Sequence, residues 1–99
     1  MNQHTYTSGT NKGNRRIWIE GNRLAAIGAT KGNTFARTMQ ADGTMKLQIG
    51  SAHTGHRIAG NAARPIIDLC GQWVTRFMGS ADTFTATFGS GVILIRPNP

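Results

Sequence analysis

Apolar and polar residues alternate along much of this chain with a period of two, the mark of strands buried on one face. From Arg15 to Glu20, Ile17 and Ile19 fall on one side and Arg16, Trp18 and Glu20 on the other. Phe35 to Met39 alternates in the same way, and Met45, Leu47 and Ile49 alternate with Lys46 and Gln48. In the C-terminal half Phe84, Ala86 and Phe88 recur between threonines. After Pro65, Ile66, Ile67 and Leu69 are read as a buried strand, and Val92 to Ile95 is continuously apolar, as expected of a fully covered one. His4 to Thr7 and His56 to Ala59 are shorter strand candidates.

Two stretches change period. Gly21 ends one strand, Asn22 is the expected N-cap, Leu24 and Ile27 share a helical face, and Gly28 is the expected C-cap. In the second stretch Gly71 and Gln72 open a helix, Val74, Phe77 and Met78 form one apolar face, and Gly79 closes it. Turn signals stand at Asn11-Lys12-Gly13-Asn14, Thr30 to Asn33, Asp42-Gly43, Gly60 to Arg64 and Gly89-Ser90-Gly91. The first of these predicts a hairpin of His4–Thr7 with Arg15–Glu20, its tip carrying Lys12, Arg15 and Arg16. Pro97 and Pro99 are expected to stop strand pairing after Ile95.

The order strand, basic turn, strand, short helix, strand, tight turn, strand thus occurs twice, in residues 1–50 and 51–99, with Gly50 to Gly55 as the linker. A 99-residue chain fits one domain. Halves this small bury too little surface to fold alone, so they are expected to share one core as a pseudo-two-fold pair. The fold class predicted is mostly β with two short helices.

Composition changes this picture mainly through charge. Eleven Lys and Arg face four Asp and Glu, a net charge of +7. Such an excess favours polyanions through release of their condensed counterions and exceeds what solubility needs. Nucleic acid is the first expected partner and an acidic protein surface the second. No apolar run is long enough for a membrane span and no signal peptide is evident, so a cytoplasmic location is expected.

Candidate binding residues are the cations at the basic turns: Lys12, Arg15, Arg16, Arg57 and Arg64. Arg and Lys there can pair with successive phosphates, and Arg can read guanine bidentately. Asn11, Asn14 and Asn61 are further hydrogen-bonding candidates. The spacing His53-x-x-His56 lacks a second ligand pair, so exposed histidines outweigh a metal site. For Trp18 and Trp73, core packing outweighs base stacking. Glu20 and Asp68 occupy nearly equivalent repeat positions. Balancing nearby Arg charge outweighs a general-base role for them. Cys70 has no partner for an internal disulfide and reads as a small apolar filler. No phosphate-binding loop or catalytic triad is visible, and neither cofactor nor metal is expected.

Gly71-Gln72-Trp73-Val74 after the Pro65–Leu69 strand, the helix to Gly79, the hairpin closing at Ile95 and the entry strand His56-Arg57-Ile58 resemble the swapped-hairpin fold of the AbrB/SpoVT/MazE superfamily, closest to its SymE-like toxin family. Gly21-Asn22-Arg23-Leu24 and Gly28 echo the same pattern, with Arg23 where the second copy has Trp73. Such proteins usually carry one unit per chain and pair as dimers. The resemblance implies an AbrB-like β-barrel with both units in one chain, either a monomeric pseudo-dimer or a homodimer exchanging hairpins. It also implies paired basic turns that lie side by side and contact DNA.

A non-catalytic protein binding duplex DNA is the leading functional expectation. A SymE-like toxin acting on RNA as an endoribonuclease, or condensing the nucleoid, is the second. A mobile-element protein that binds and inhibits a host nucleic-acid machine is the third.

Overall fold

A computed structural model describes residues 2–50 and 56–99. Most of the linker and the His53 position of the His-x-x-His spacing lie outside the described residues. The chain is mostly β with two short helices. The first half contains β1 (Asn2–Thr7), β2 (Gly9–Asn11), β3 (Asn14–Glu20), α1 (Asn22–Ala26), β4 (Thr34–Met39) and β5 (Met45–Ile49). The second contains β6 (His56–Arg57), β7 (Ala59–Gly60), β8 (Pro65–Cys70), α2 (Gln72–Met78), β9 (Thr83–Gly89) and β10 (Val92–Asn98).

These strands form two antiparallel sheets that are not closed into a barrel. One has six strands in the order β1-β9-β10-β5-β4-β6, the other four in the order β2-β3-β8-β7. Equivalent strands meet at the centre of each. Trp18 on β3 lies opposite Asp68, its own counterpart on β8, and Leu47 on β5 lies opposite Ile93 on β10.

The first strand of each half leaves its own half. β1 pairs with β9 of the second half, and β6 with β4 of the first. The expected hairpin of His4–Thr7 with Arg15–Glu20 is therefore corrected: β2 pairs with β3 instead. Ser8, which is buried, is the pivot at which the chain changes sheets. Its amide donates to the Asp82 carbonyl (2.8 Å), and its hydroxyl donates to the Arg16 carbonyl (3.1 Å). Ile58 plays the same part between β6 and β7, its amide donating to the Asn33 carbonyl (2.9 Å). Two equivalent ring stacks cover the exchanges: Tyr6 on Phe84 at 5.3 Å and His56 on Phe35 at 5.2 Å, both inclined by 18°.

One core lies between the sheets. Ile17, Ile19, Leu24, Phe35 and Leu47 from the first half meet Ile67, Leu69, Val74, Phe84 and Ile95 from the second. Apart from Leu24 and Val74, which the two helices contribute, these are the alternating positions of their strands, one face in and one out. Each helix is too short to persist without packing. α1 is anchored by Leu24 and α2 by Val74 and Met78. Gly21, not Asn22, is the N-cap of α1, and it makes no side-chain cap bond. Asn22 is helical, which frees its side chain.

Two further expectations are corrected. Val92 and Leu94 are only half-buried, because the outer face of the six-stranded sheet has no second layer over it. Strand β10 also runs past Ile95, with Pro97 opposite Phe84 and Asn98 opposite Thr83. Pairing of β10 with β5 ends at Ile95, so Pro97 sits where β10 has a neighbour on one side only and a missing N–H is tolerated.

Candidate nucleic-acid interface

The β2–β3 hairpin is built by Lys12 and Gly13, whose φ values of 53° and 83° are the two positive angles a type I′ turn requires. Lys12 is therefore exposed at a tight tip. The β7–β8 turn is shaped by Asn61. Its side-chain oxygen accepts the amides of Ala63 (3.0 Å) and Arg64 (2.9 Å), and two backbone bonds close Asn61 on Arg64. Arg64 is exposed beside it. Asn61 thus serves the turn rather than a ligand, and the Asn14 side-chain oxygen is likewise engaged, by the Thr75 hydroxyl at 3.3 Å.

The two basic turns do not lie side by side. β3 and β8 are antiparallel, so the turn preceding each points to the opposite end of the four-stranded sheet. If their register is continued, Arg64 falls opposite Asn22, which puts Lys12 and Arg64 roughly 30 Å apart along the strand direction. Each turn is joined at its end by a helix. The Arg15 amide donates to the Thr75 hydroxyl (2.9 Å), which holds α2 and its exposed Arg76 at the Lys12 end. The Gly21 amide donates to the Pro65 carbonyl (3.1 Å), which holds α1 and its exposed Arg23 at the Arg64 end.

Arg15 and Arg16 are not free cations. Arg15 reaches Asp82 at 2.7 Å. Arg16 makes a bidentate pair with Asp68, at 2.8 and 2.7 Å, and its guanidinium lies 4.4 Å from the Trp18 ring centre. That hydrogen bonding to Asp68 raises the Arg16 pKa further above its ordinary value. Two-point geometry and a ring beneath the fork make this pair more fixed than an ordinary surface contact. Arg64 is only 4.0 Å from Glu20 and is largely exposed, so that contact is weak. Setting these three pairs aside leaves eight cations against one carboxylate, Asp42. Asp42 sits in the β4–β5 turn, where the Thr44 amide donating at 2.9 Å holds its pKa below the usual value.

Arg57 falls elsewhere, on β6 at the edge of the six-stranded sheet. Its register with Thr34 puts it on the outer face with Lys46 and Arg96. No carboxylate shares that face among the described residues. Sequence reasoning missed Lys46 and Arg96, although strand parity alone places both outward.

The tryptophans divide. Trp18 is 37% exposed on the outer face of the four-stranded sheet, which corrects its expected place in the core. Trp73 is half-buried against the core, with the Arg37 guanidinium 3.8 Å from its ring centre. Glu20 and Asp68 face Arg64 and Arg16, in keeping with charge balance. Among the described residues no group of His, Cys, Asp and Glu is placed to hold a metal ion, and no helix is long and apolar enough to cross a membrane.

Tyr6 has the one buried side-chain polar atom without a hydrogen-bond partner among the described residues. Burial pushes its pKa up, and the nearby positive charge of Arg23 opposes that shift. An unsatisfied buried hydroxyl costs stability that its removal recovers. Tyr6→Phe keeps the stack on Phe84 and should raise unfolding free energy by about 1 kcal/mol in urea titration. A loss of that size would instead reveal a partner for the hydroxyl.

Compared with known proteins, the chain matches no family model, and neither a curated protein nor a solved structure matches it significantly.

Proposed function

We propose that the protein binds duplex DNA through its two basic ends, Lys12 with Arg76 and Arg64 with Arg23. The observation that carries this is their separation. Roughly 30 Å between two-fold-related cationic ends approaches one helical turn of B-DNA, about 34–36 Å. Each end then meets the backbone where the same side of the duplex returns. Phosphate contacts of this kind set position and supply affinity without reading sequence.

The exchange of first strands between halves supports an AbrB-like, swapped-hairpin ancestry in an open two-sheet form. Both exchanges are made within one chain, which favours a monomeric pseudo-dimer. Asp68 is held by the Arg16 fork, which weighs against it as a general base in the RNA-cleaving alternative, while Glu20 has only the weak contact with Arg64.

The test is a fluorescence-anisotropy series over salt concentration with duplex DNA, single-stranded DNA and RNA. Four phosphate contacts give a log–log salt slope of about −3.5 for duplex DNA. Lys12→Ala combined with Arg64→Ala should reduce that slope by about 2. Lys46→Ala combined with Arg96→Ala should leave it unchanged. The reverse result would move binding to the six-stranded sheet and reject the two-ended reading.

A further inference from the structure

The repeat is broken at one place that matters chemically. In the second half Trp73 fills the space between α2 and β4, capped by Arg37. In the first half the same helix position is Arg23, which has no aromatic ring to fill the equivalent space between α1 and β9. A groove is open there, lined by Asn2, Asn22, Arg23, Ala26, Ile27 and Phe88. It measures about 270 Å³ and continues past Gly89 and Ser90 into a wider lobe of about 500 Å³. The two share Asn2, Ala26, Ile27 and Phe88, so they form one open depression, of a size for a small ligand that stays partly in solvent.

Its lining has two characters. Ala26 and Ile27, with the small exposed part of the otherwise buried Phe88, form an apolar wall. Asn2, Asn22 and Arg23 carry side chains with no hydrogen bond or ion pair to protein among the described residues. Asn22 is free because Gly21 took the cap position. The unpartnered, buried Tyr6 hydroxyl lies near enough to Arg23 to feel its charge. Uncommitted donors, a cation and an apolar wall suit a planar ring bearing an anion. The other half supplies the precedent, since there a planar ring occupies the slot beside a guanidinium.

We propose that this groove binds one nucleotide, its base against Phe88 and Ile27 and its phosphate on Arg23. The inference rests on the DNA-binding reading only for where the nucleotide comes from. A free mononucleotide and the unpaired terminal nucleotide of a strand share the chemistry. Arg23 then serves both as a backbone contact at its end of the molecule and as the anchor of an unpaired base.

The test uses the whole chain with adenosine 5′-monophosphate, inorganic phosphate, a blunt duplex, and the same duplex with a one-nucleotide 5′-phosphorylated adenosine overhang. Amide NMR shifts on titration with the mononucleotide should concentrate at residues 22–27 and at Phe88, and inorganic phosphate should not reproduce them. Arg23→Trp, which copies the second half's arrangement, should abolish those shifts, and Arg23→Gln should weaken them. Retained shifts at the other amides show that each variant is folded. If the source is a strand end, the overhang duplex binds about tenfold tighter than the blunt one, and Arg23→Trp removes the difference. Mononucleotide binding without that preference assigns the groove to a free nucleotide. Identical shifts with inorganic phosphate, or shifts scattered over all the basic residues, overturn the proposal. Failure of blunt-duplex binding alone counts against the two-ended reading and leaves mononucleotide binding in the groove standing.

Discussion

Replacing Phe84 with Ala should cost about 3–5 kcal/mol of unfolding free energy. Phe84 is fully buried near the start of β9, opposite Tyr6 on β1 and Pro97 on β10. Its ring carries the stack that closes the exchange of β1 into the second half. Truncation therefore leaves a cavity and also exposes one side of Tyr6. The loss is a large fraction of the roughly 5–15 kcal/mol that holds a domain of this kind together. Phe35 is its counterpart, fully buried and stacked on His56, and Phe35→Ala should fall in the same range. Urea or thermal unfolding reads both. A cost below about 1.5 kcal/mol for Phe84→Ala would show that the seam between β1 and β9 does not depend on this ring.

Gly60→Ala is the second large effect, and it joins stability to function. Gly60 has φ of +87°, and an added Cβ would lie 2.2 Å from the Arg64 carbonyl oxygen. The backbone angle alone costs about 1–3 kcal/mol for a residue with a side chain. Relief of the overlap requires moving backbone, because the oxygen it meets accepts the Asn61 amide that closes the turn. The variant should be destabilised by at least that amount, and the turn holding Arg64 should be displaced. Two measurements separate the effects: the unfolding midpoint, and the DNA salt slope at a temperature where the variant is still folded. The slope should fall by about 1, the loss of one phosphate contact. An unchanged slope in a folded variant would mean that Arg64 does not contact DNA from this turn.

Much of the fold was legible in the sequence, and the reasons are local. Ile17 and Ile19 alternate cleanly with polar residues, and Val74 and Met78 share one face of a helix bounded by glycines. Period and turn residues suffice for such elements. Partner choice was not legible at β1. His4 to Thr7 sits one turn from β3, and nothing in its own residues says that Thr5 will face Thr85. That pairing is decided by the pivot at Ser8 and by the stack of Tyr6 on Phe84, contacts distant in sequence. Asn22 was misplaced by one residue because glycine can also begin a helix, and Gly21 with φ of +97° takes that place.

At the candidate interface, charge told which residue types to consider and missed what neutralises them. Arg15 and Arg16 are paired by Asp82 and Asp68, which arrive from the other half of the chain. The opposite placing of the two turns follows from antiparallel pairing of β3 with β8, again a long-range fact. The open groove beside Arg23 had a visible trace, since Arg23 stands where the second copy has Trp73. Its meaning needed the structure, where the tryptophan proves to be a space-filler.

The crossing of β1 into the second half bears on how the molecule is made. Thr5 bonds Thr85 across 80 positions of chain. During synthesis from the N-terminus, β1 lacks its partner edge until β9 has been made, 80 positions later at the Thr5–Thr85 pair. Long-range pairing of this kind slows folding, because the entropy of closing the chain is lost before the contacts are gained. The first half thus waits, with one strand unpaired, until β9 is available. The gain is equally topological: once closed, neither half can be withdrawn without opening both sheets' junctions, so the two basic ends are held at a fixed spacing by the path of the chain itself.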